Sequence, residues 1–379
     1  MTLSRTTIHV CSRSGVPPAA AGARAGVSLH SHSEYSKEAL DFIPGIARRI
    51  PLVSRFFDLA VARYQHMHGR PLDFASCYWR PPLSPASVID SERTQIADRF
   101  DLPALVSLTD HDTVEGPKRL LAAGALETPL SVEWTVKVEE AEFHLGVHNI
   151  DPARVDEAER AMNTYTAGTR ERSLDDILDW LCESPSTFIV FNHPFWDMAG
   201  IGALKHESTL LRFMRAHRQR IHGLEINGYR MWSENRRVLP LAEGFGIPVV
   251  AGGDRHGRLP NAVVNLTHAT SLEEFAADLR AGLRTDCAVF PEYWDPFAAR
   301  LLQGARDALG YDRHHHAGRK AWSDRVFFQS EHGEQAVSSI WPDGAPLWLR
   351  SSVTITRFLG APSWRPLYRL APGQETSLG

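Results

Sequence analysis

The stretch Pro103-Ala104-Leu105-Val106-Ser107-Leu108-Thr109-Asp110-His111-Asp112-Thr113 decides how this chain is read. Its first six residues have the length and apolarity of a buried strand, and the run stops at an imidazole flanked by two carboxylates. Working outward, the same arrangement recurs. Val27-Ser28-Leu29 leads into His30-Ser31-His32, Leu130 to Val138 reads as a strand containing Glu133, and Phe143 to Val147 begins beside His144. Phe188 to Phe191 precedes Asn192-His193-Pro194, Gly223 to Asn227 is a further short strand, and Ile247 to Ala251 runs into Gly252-Gly253-Asp254-Arg255-His256. Helices are expected between them, over 86–100, 116–126, most of 151–183, 206–219 and 238–245, with 271–286 as one more. Such alternation predicts an α/β domain with largely parallel strands. Polar residues just beyond strand ends would then share one rim of a closed α/β barrel, the place where active sites belong.

Three regions depart from this rhythm. Residues 1–26 carry Arg5, Arg13 and Arg24 without an apolar segment and read as a loose N-terminal leader. Residues 40–103 form a long excursion inside the barrel domain, 27–290; it is helical from Ile46 to Tyr64 and then broken by prolines between 71 and 85. It reads as an external helical decoration or a cap. Residues 291–379 read as a C-terminal extension or small appended module, in which Val353-Thr354-Ile355-Thr356 has strand character and Tyr311 to His316 reads as an exposed polar turn.

Composition narrows the function. With 41 Lys plus Arg against 45 Asp plus Glu, the net charge is -4, and no extended basic or aromatic stripe offers a nucleic-acid platform. No run of about 18 apolar residues is present, which argues against a membrane span. Cys11, Cys77, Cys182 and Cys287 form no CxxC pair, so a reducing cytoplasm is the expected setting. The 18 histidines matter by position. Imidazoles and carboxylates aimed into one pocket are costly unless protons or metals compensate them, and first-row divalent ions accept that donor mixture.

Six of these stretches, Leu29-His30-Ser31-His32, Leu108 to Thr113, Val132-Glu133-Trp134, His144-Leu145-Gly146, His193-Pro194 and Gly253-Asp254-Arg255-His256, occur in an order and spacing that resembles the PHP (polymerase and histidinol phosphatase) family of metal-dependent phosphoesterases, over roughly residues 27–270. The resemblance implies a distorted (β/α)7 TIM-like barrel with two or three divalent transition ions, zinc, manganese or iron. His30, His32, Glu133 and Asp254 would hold the first; Glu133 would bridge to a second, bound also by His144 and His193; His111 and His256 would hold a third. The family has Ser-Asp-Gly or a histidine after its HxH motif, whereas this chain has Ser36-Lys37-Glu38. Either Glu38 ligates by a one-residue shift or the third ion is weak or missing. Glu133, His193, Asp254 and His256 are the catalytic candidates, and Lys37, Arg255 and Arg258 are expected phosphate contacts. Asn192, Asn227 and Tyr229 would contact substrate or orient the ligands. The expected reaction is hydrolysis of a small phosphomonoester or phosphodiester. The rivals are a metal-dependent amidohydrolase and a catalytically inactive metal-binding or structural protein.

Overall fold

The computed structural model describes residues 6–12, 22–40, 44, 51–69, 71–370 and 375, save 72, 75, 126, 170, 284, 311–318, 320, 331 and 332. Its strands, in chain order, are β1 (Thr6–Val10), β2 (Ala25–Ser31), β3 (Glu38–Ala39), β4 (Cys77–Trp79), β5 (Ala104–Val106), β6 (Val132–Val138), β7 (Ala141–His148), β8 (Phe188–Asn192), β9 (Gly223–Asn227), β10 (Val249–Arg255), β11 (Val263–Thr267), β12 (Thr285–Val289), β13 (Val326–Ser330) and β14 (Gly333–Ala336). Ten of them build one large sheet in the order β1-β12-β11-β2-β10-β9-β8-β7-β6, with β5 added on β2. Strands β2, β8, β9, β10 and β11 are buried along their whole length, as near-continuous apolar runs demand.

The strands are less uniformly parallel than expected. β2, β5, β8, β9 and β10 pair in parallel, but β7 is antiparallel to β6 and β8, and β11 is antiparallel to β2 and β12. The cause at β6–β7 is local. Only Glu139 and Glu140 separate the two strands, Glu139 takes φ 55°, and a connection that short permits a hairpin but no crossover. Nor do the regular ladders close into the expected barrel. β5 meets β6 only beyond its own end, at a parallel bridge between His111 and Glu133, where Glu133 N–H donates to Asp110 O (3.2 Å) and Asp112 N–H to Glu133 O (2.9 Å).

The helical segments lie close to expectation in the middle of the chain. Pro85–Phe100 starts at Ser84, whose side chain accepts from Ser87 N–H, and the 151–183 region divides into Val155–Thr166 and Leu174–Cys182, the second opened by a Ser173/Asp176 capping box. Outside the middle, three readings change. Residues 6–10, placed in the leader, form the edge strand β1 on β12. The helix expected to run to 286 stops at Arg280; Gly282 (φ 63°) turns the chain and β12 follows. The strand-like 353–356 lies inside the helix Leu347–Leu359, where Val353 is buried and Ile355 is exposed; β-branched content was outweighed by packing on the helix Phe297–Leu309. The Tyr311 to His316 turn and residues 46–50 of the excursion's helix lie outside the described residues. That helix is Pro51–His68 where described. The excursion and the C-terminal extension meet in a second sheet, ordered β14-β13-β4-β3. Among the described residues no helix is long and apolar enough to cross a membrane.

Candidate metal centre

Strands β2, β3, β6, β7 and β10, with the residues that follow β2, β5, β8 and β10, bring nine side chains together: His30, His32, Glu38, His111, Glu133, His144, His193, Asp254 and His256. Three of them, His30 (φ 63°), His193 (φ 28°) and Asp254 (φ 56°), have left-handed backbone. Each such residue costs about 1–3 kcal/mol and persists where its surroundings over-determine it, which is typical of functional sites.

Glu133 is the hub. One carboxylate oxygen, Oε2, lies 3.0 Å from His30 Nε2, 3.4 Å from His32 Nε2 and 3.2 Å from His111 Nδ1. The other, Oε1, lies 3.1 Å from His144 Nδ1 and 3.2 Å from His193 Nε2, and accepts from Asn192 Nδ2 at 2.9 Å. Asp254 Oδ1 stands 3.4 Å from both His30 Nε2 and His32 Nε2, while its Oδ2 accepts from Asn227 Nδ2. At the rim, Glu38 Oε2 is 2.9 Å from His256 Nε2 and 3.3 Å from His111 Nε2. These donors fall into overlapping groups able to surround an ion: His32/Glu38/His111/His256, His30/His32/Glu133, His30/His193/Asp254 and His111/Glu133/His144.

The electrostatics follow from burial opposed by close opposite charges. Burial alone would raise the Glu133 carboxyl, but His30, His144 and His111 hold it well below the usual carboxylate range. Asp254 and Glu38 are likewise held low against burial, by His30 and His256 and by His256 and His111 respectively. Burial would lower the His111 imidazole, but Glu38 and Glu133 outweigh it and lift it to about 10. His32 is different: burial, with His256 adding to it, pushes it down to about 4, so it is neutral and carries a free nitrogen lone pair at pH 7.

Several supporting roles escaped sequence reading. Glu225 Oε1 is 2.6 Å from His30 Nδ1, and its Oε2 accepts from His193 N–H and Asn227 Nδ2. A Cβ on Gly252 would fall 1.6 Å from Glu225 Oε1, so the neighbouring strand must carry glycine there. Ser36 Oγ donates to Glu38 Oε1 and accepts from His111 N–H. Asp110 accepts from Ser33 N–H and Oγ, and Asp112 from Thr135 N–H and Oγ1; these carboxylates brace the loops. Glu225 did leave a signal, because a carboxylate inside the otherwise apolar Gly223–Asn227 run must have buried partners.

The three expected phosphate contacts are not in the cluster. Lys37 is half exposed with Nζ 3.3 Å from Glu334 Oε2, because neighbouring residues of an extended segment face opposite ways and Glu38 is the one turned inward. Arg255 is buried on the face opposite Asp254, with Nε 3.3 Å from Glu92 Oε1 and donating to Leu259 O. Arg258 is exposed, its N–H bonded to Asp307. A cavity of about 790 Å³ opens beside His256 and is lined in part by Tyr229, Arg255, Arg300 and Gln303. Tyr229 is tied to the loop through Asn227 Oδ1 and Arg300 O.

Fold and site together define a mixed α/β protein with a buried histidine–carboxylate centre. No family model and no curated protein matches the chain. Solved structures to which it is similar include an amidohydrolase from Chromobacterium violaceum, at 20% identity over 46% of this chain and 83% of that one, TM-score 0.33. PsfC from Pseudomonas syringae matches at 14% identity over 55% and 84%, TM-score 0.39. A protein assigned as a metal-dependent phosphoesterase from Bifidobacterium adolescentis matches at 17% identity over 53% and 91%, TM-score 0.32. Likenesses this partial leave the chemistry of the site to its own geometry.

Proposed function

We propose that this protein is a metal-dependent hydrolase of small phosphomonoesters or phosphodiesters, built on a distorted seven-stranded barrel of the PHP type made by β2, β5 and β6 to β10. The bridge between His111 and Glu133 supports the ring, since it joins the two strands that the regular ladders leave apart.

One observation carries the metal assignment. His30 Nε2, His32 Nε2, Glu133 Oε2 and His144 Nδ1 are buried and lack a hydrogen-bond partner, although Glu133 oxygens lie 3.0–3.4 Å from these three nitrogens. The atoms converge without hydrogen-bond geometry, as donors around a cation do. Six imidazoles and three carboxylates suit two or three zinc, manganese or iron ions. When bound, such ions supply a water of lowered pKa and neutralise the phosphoryl oxygens.

The chain's own residues prepare the site. Glu225 takes the Nδ1 proton of His30 in a hydrogen bond and so turns the Nε2 lone pair inward. His256 Nδ1–H likewise donates to Asp254 O, leaving Nε2 to face Glu38. Asn192 fixes the rotation of the Glu133 carboxylate, and Asn227 joins Glu225 to Asp254. His193 and His256, both beside Asp254, are the groups placed to move a proton.

The test is to strip the protein, reload it separately with each metal, and screen phosphomonoesters, phosphodiesters and amides. At least two metal equivalents and release of phosphate or a phosphomonoester are expected. No bound metal after reloading would overturn the assignment, and turnover of amides alone would transfer it to the amidohydrolases.

A further inference from the structure

The C-terminal extension has no part in the reading above, yet it reaches the metal centre through the smaller sheet. β3 is two residues long and, among the described residues, pairs only with β4, as Glu38↔Trp79 and Ala39↔Tyr78. A ladder so short, closing the long connection over residues 40–76, is marginal by itself. β13 pairs all of β4 from its other side, as Val326↔Trp79, Phe327↔Tyr78 and Phe328↔Cys77. The buried Phe327 ring stacks on Tyr78 at 5.3 Å and 16°. From β14, Glu334 reaches back with one oxygen 3.3 Å from Lys37 Nζ and the other 3.3 Å from Arg80 Nη2, while Arg80 Nη1 donates to Glu34 O. The residues on both sides of this clamp therefore flank Glu38, almost three hundred positions away in sequence.

We infer that the β13–β14 hairpin is a working part of the metal centre, holding Glu38 where its carboxylate meets His111 and His256. Phe327 and Glu334 are positioning residues, and this role rests on the metal assignment made above. Without the hairpin, β3 keeps Ser36, two ladder pairs and the Leu40 N–H bond to Cys77 O, the last two anchored on a β4 that has itself lost its other neighbour, to fix a side chain that must stay within about 3 Å of two imidazoles. The segment far from the motifs thereby sets the occupancy of one ion and leaves the Glu133 sites alone.

The experiment compares full-length wild type, Phe327→Ala, Phe327→Leu and Glu334→Gln by elemental analysis, by metal titration and by amide exchange of the peptide covering residues 36–40. Phe327→Ala should weaken one metal site about tenfold, as loss of a supporting partner does, and should speed exchange at 36–40. Phe327→Leu should recover most of that loss, and Glu334→Gln, which breaks a partly exposed contact, should weaken the same site by no more than about fivefold. Wild-type stoichiometry, affinity and exchange in Phe327→Ala overturns the inference. Loss of every equivalent with loss of cooperative unfolding marks general collapse in that variant, and Glu334→Gln then decides: an unchanged metal site and unchanged exchange overturns the inference. A wild-type protein that binds no metal removes the underlying assignment instead, which no variant result can mimic.

Discussion

Glu133 and Glu38 are each contacted by several imidazoles, yet the two carboxylates are built in opposite ways. Glu133 sits in the seven-residue strand β6, fully buried, with Asn192 donating to one oxygen and histidines from β2, β7 and the strand ends on both. Its position is a by-product of the core, because Val132 and Trp134 on either side are packed in the main apolar cluster. Glu38 sits at the start of a two-residue strand on the rim, held by a serine, a short ladder and a hairpin from the far end of the chain. The difference teaches that a fold can fix one carboxylate by packing while leaving another to peripheral contacts; under the metal assignment proposed above, the second is where metal content should vary.

The largest effect should come from breaking the hub. Glu133→Gln keeps the shape of the side chain and its contact with Asn192 but removes the charge that faces five imidazoles. Turnover should fall about 100-fold or more, since first-sphere losses exceed those of supporting partners, and two metal equivalents should be lost together. Circular dichroism should still report a folded protein. Retention of both equivalents would erase the contrast between the two carboxylates.

A smaller and more selective effect is expected at the rim. In metal-free protein Glu38 is the main reason that His111 stays protonated up to about pH 10 despite burial. An ion must displace that proton, so binding at this site should release it at pH 7 and tighten as pH rises toward 10. Glu38→Gln should lose one metal equivalent and the proton that goes with it, leaving the Glu133 sites filled. Calorimetry in two buffers of different ionisation enthalpy counts the protons. Unchanged stoichiometry and proton release would show that Glu38 does not ligate.

The same contrast explains what could be read in advance. Most strands of the large sheet were visible as apolar runs, and most candidate ligands were visible because they stood in or just beyond such a run. Glu133 and His111 belong to short, distinctive stretches whose meaning is local. Glu38 was reachable only as a substitute for a missing aspartate, and its support was not reachable, since nothing in residues 36–39 points to Phe327 or Glu334. β11 was not read as a strand from the sequence, and the edge strand β1 looked like a leader because its Thr6-Thr7-Ile8-His9-Val10 is short and only partly apolar. Long-range pairing of short strands has no local signature, whether at β7 against β8 in the middle of the chain or at β1 and β11 toward its ends.

The smallest effect should belong to Lys37, the residue that the motif comparison made most suspicious. Its ammonium is half exposed, 3.3 Å from Glu334 and 4.9 Å from the Tyr78 ring, and it points away from the cluster. A pair this exposed is worth about 0–1 kcal/mol, reduced further by salt. Glu334 also keeps Arg80 when Lys37 is removed, so the hairpin loses one of two contacts and not its stacking. Lys37→Ala should therefore leave metal stoichiometry unchanged and keep KM within about twofold, the scale of a weak surface pair. Titrating metal and substrate into the same preparation reads both quantities. A raised KM at full metal content would mean that the ammonium swings inward to meet the phosphoryl group during turnover. The rim would then be a substrate-binding element as well as a ligand mount, and its looseness relative to Glu133 would be what lets Lys37 move.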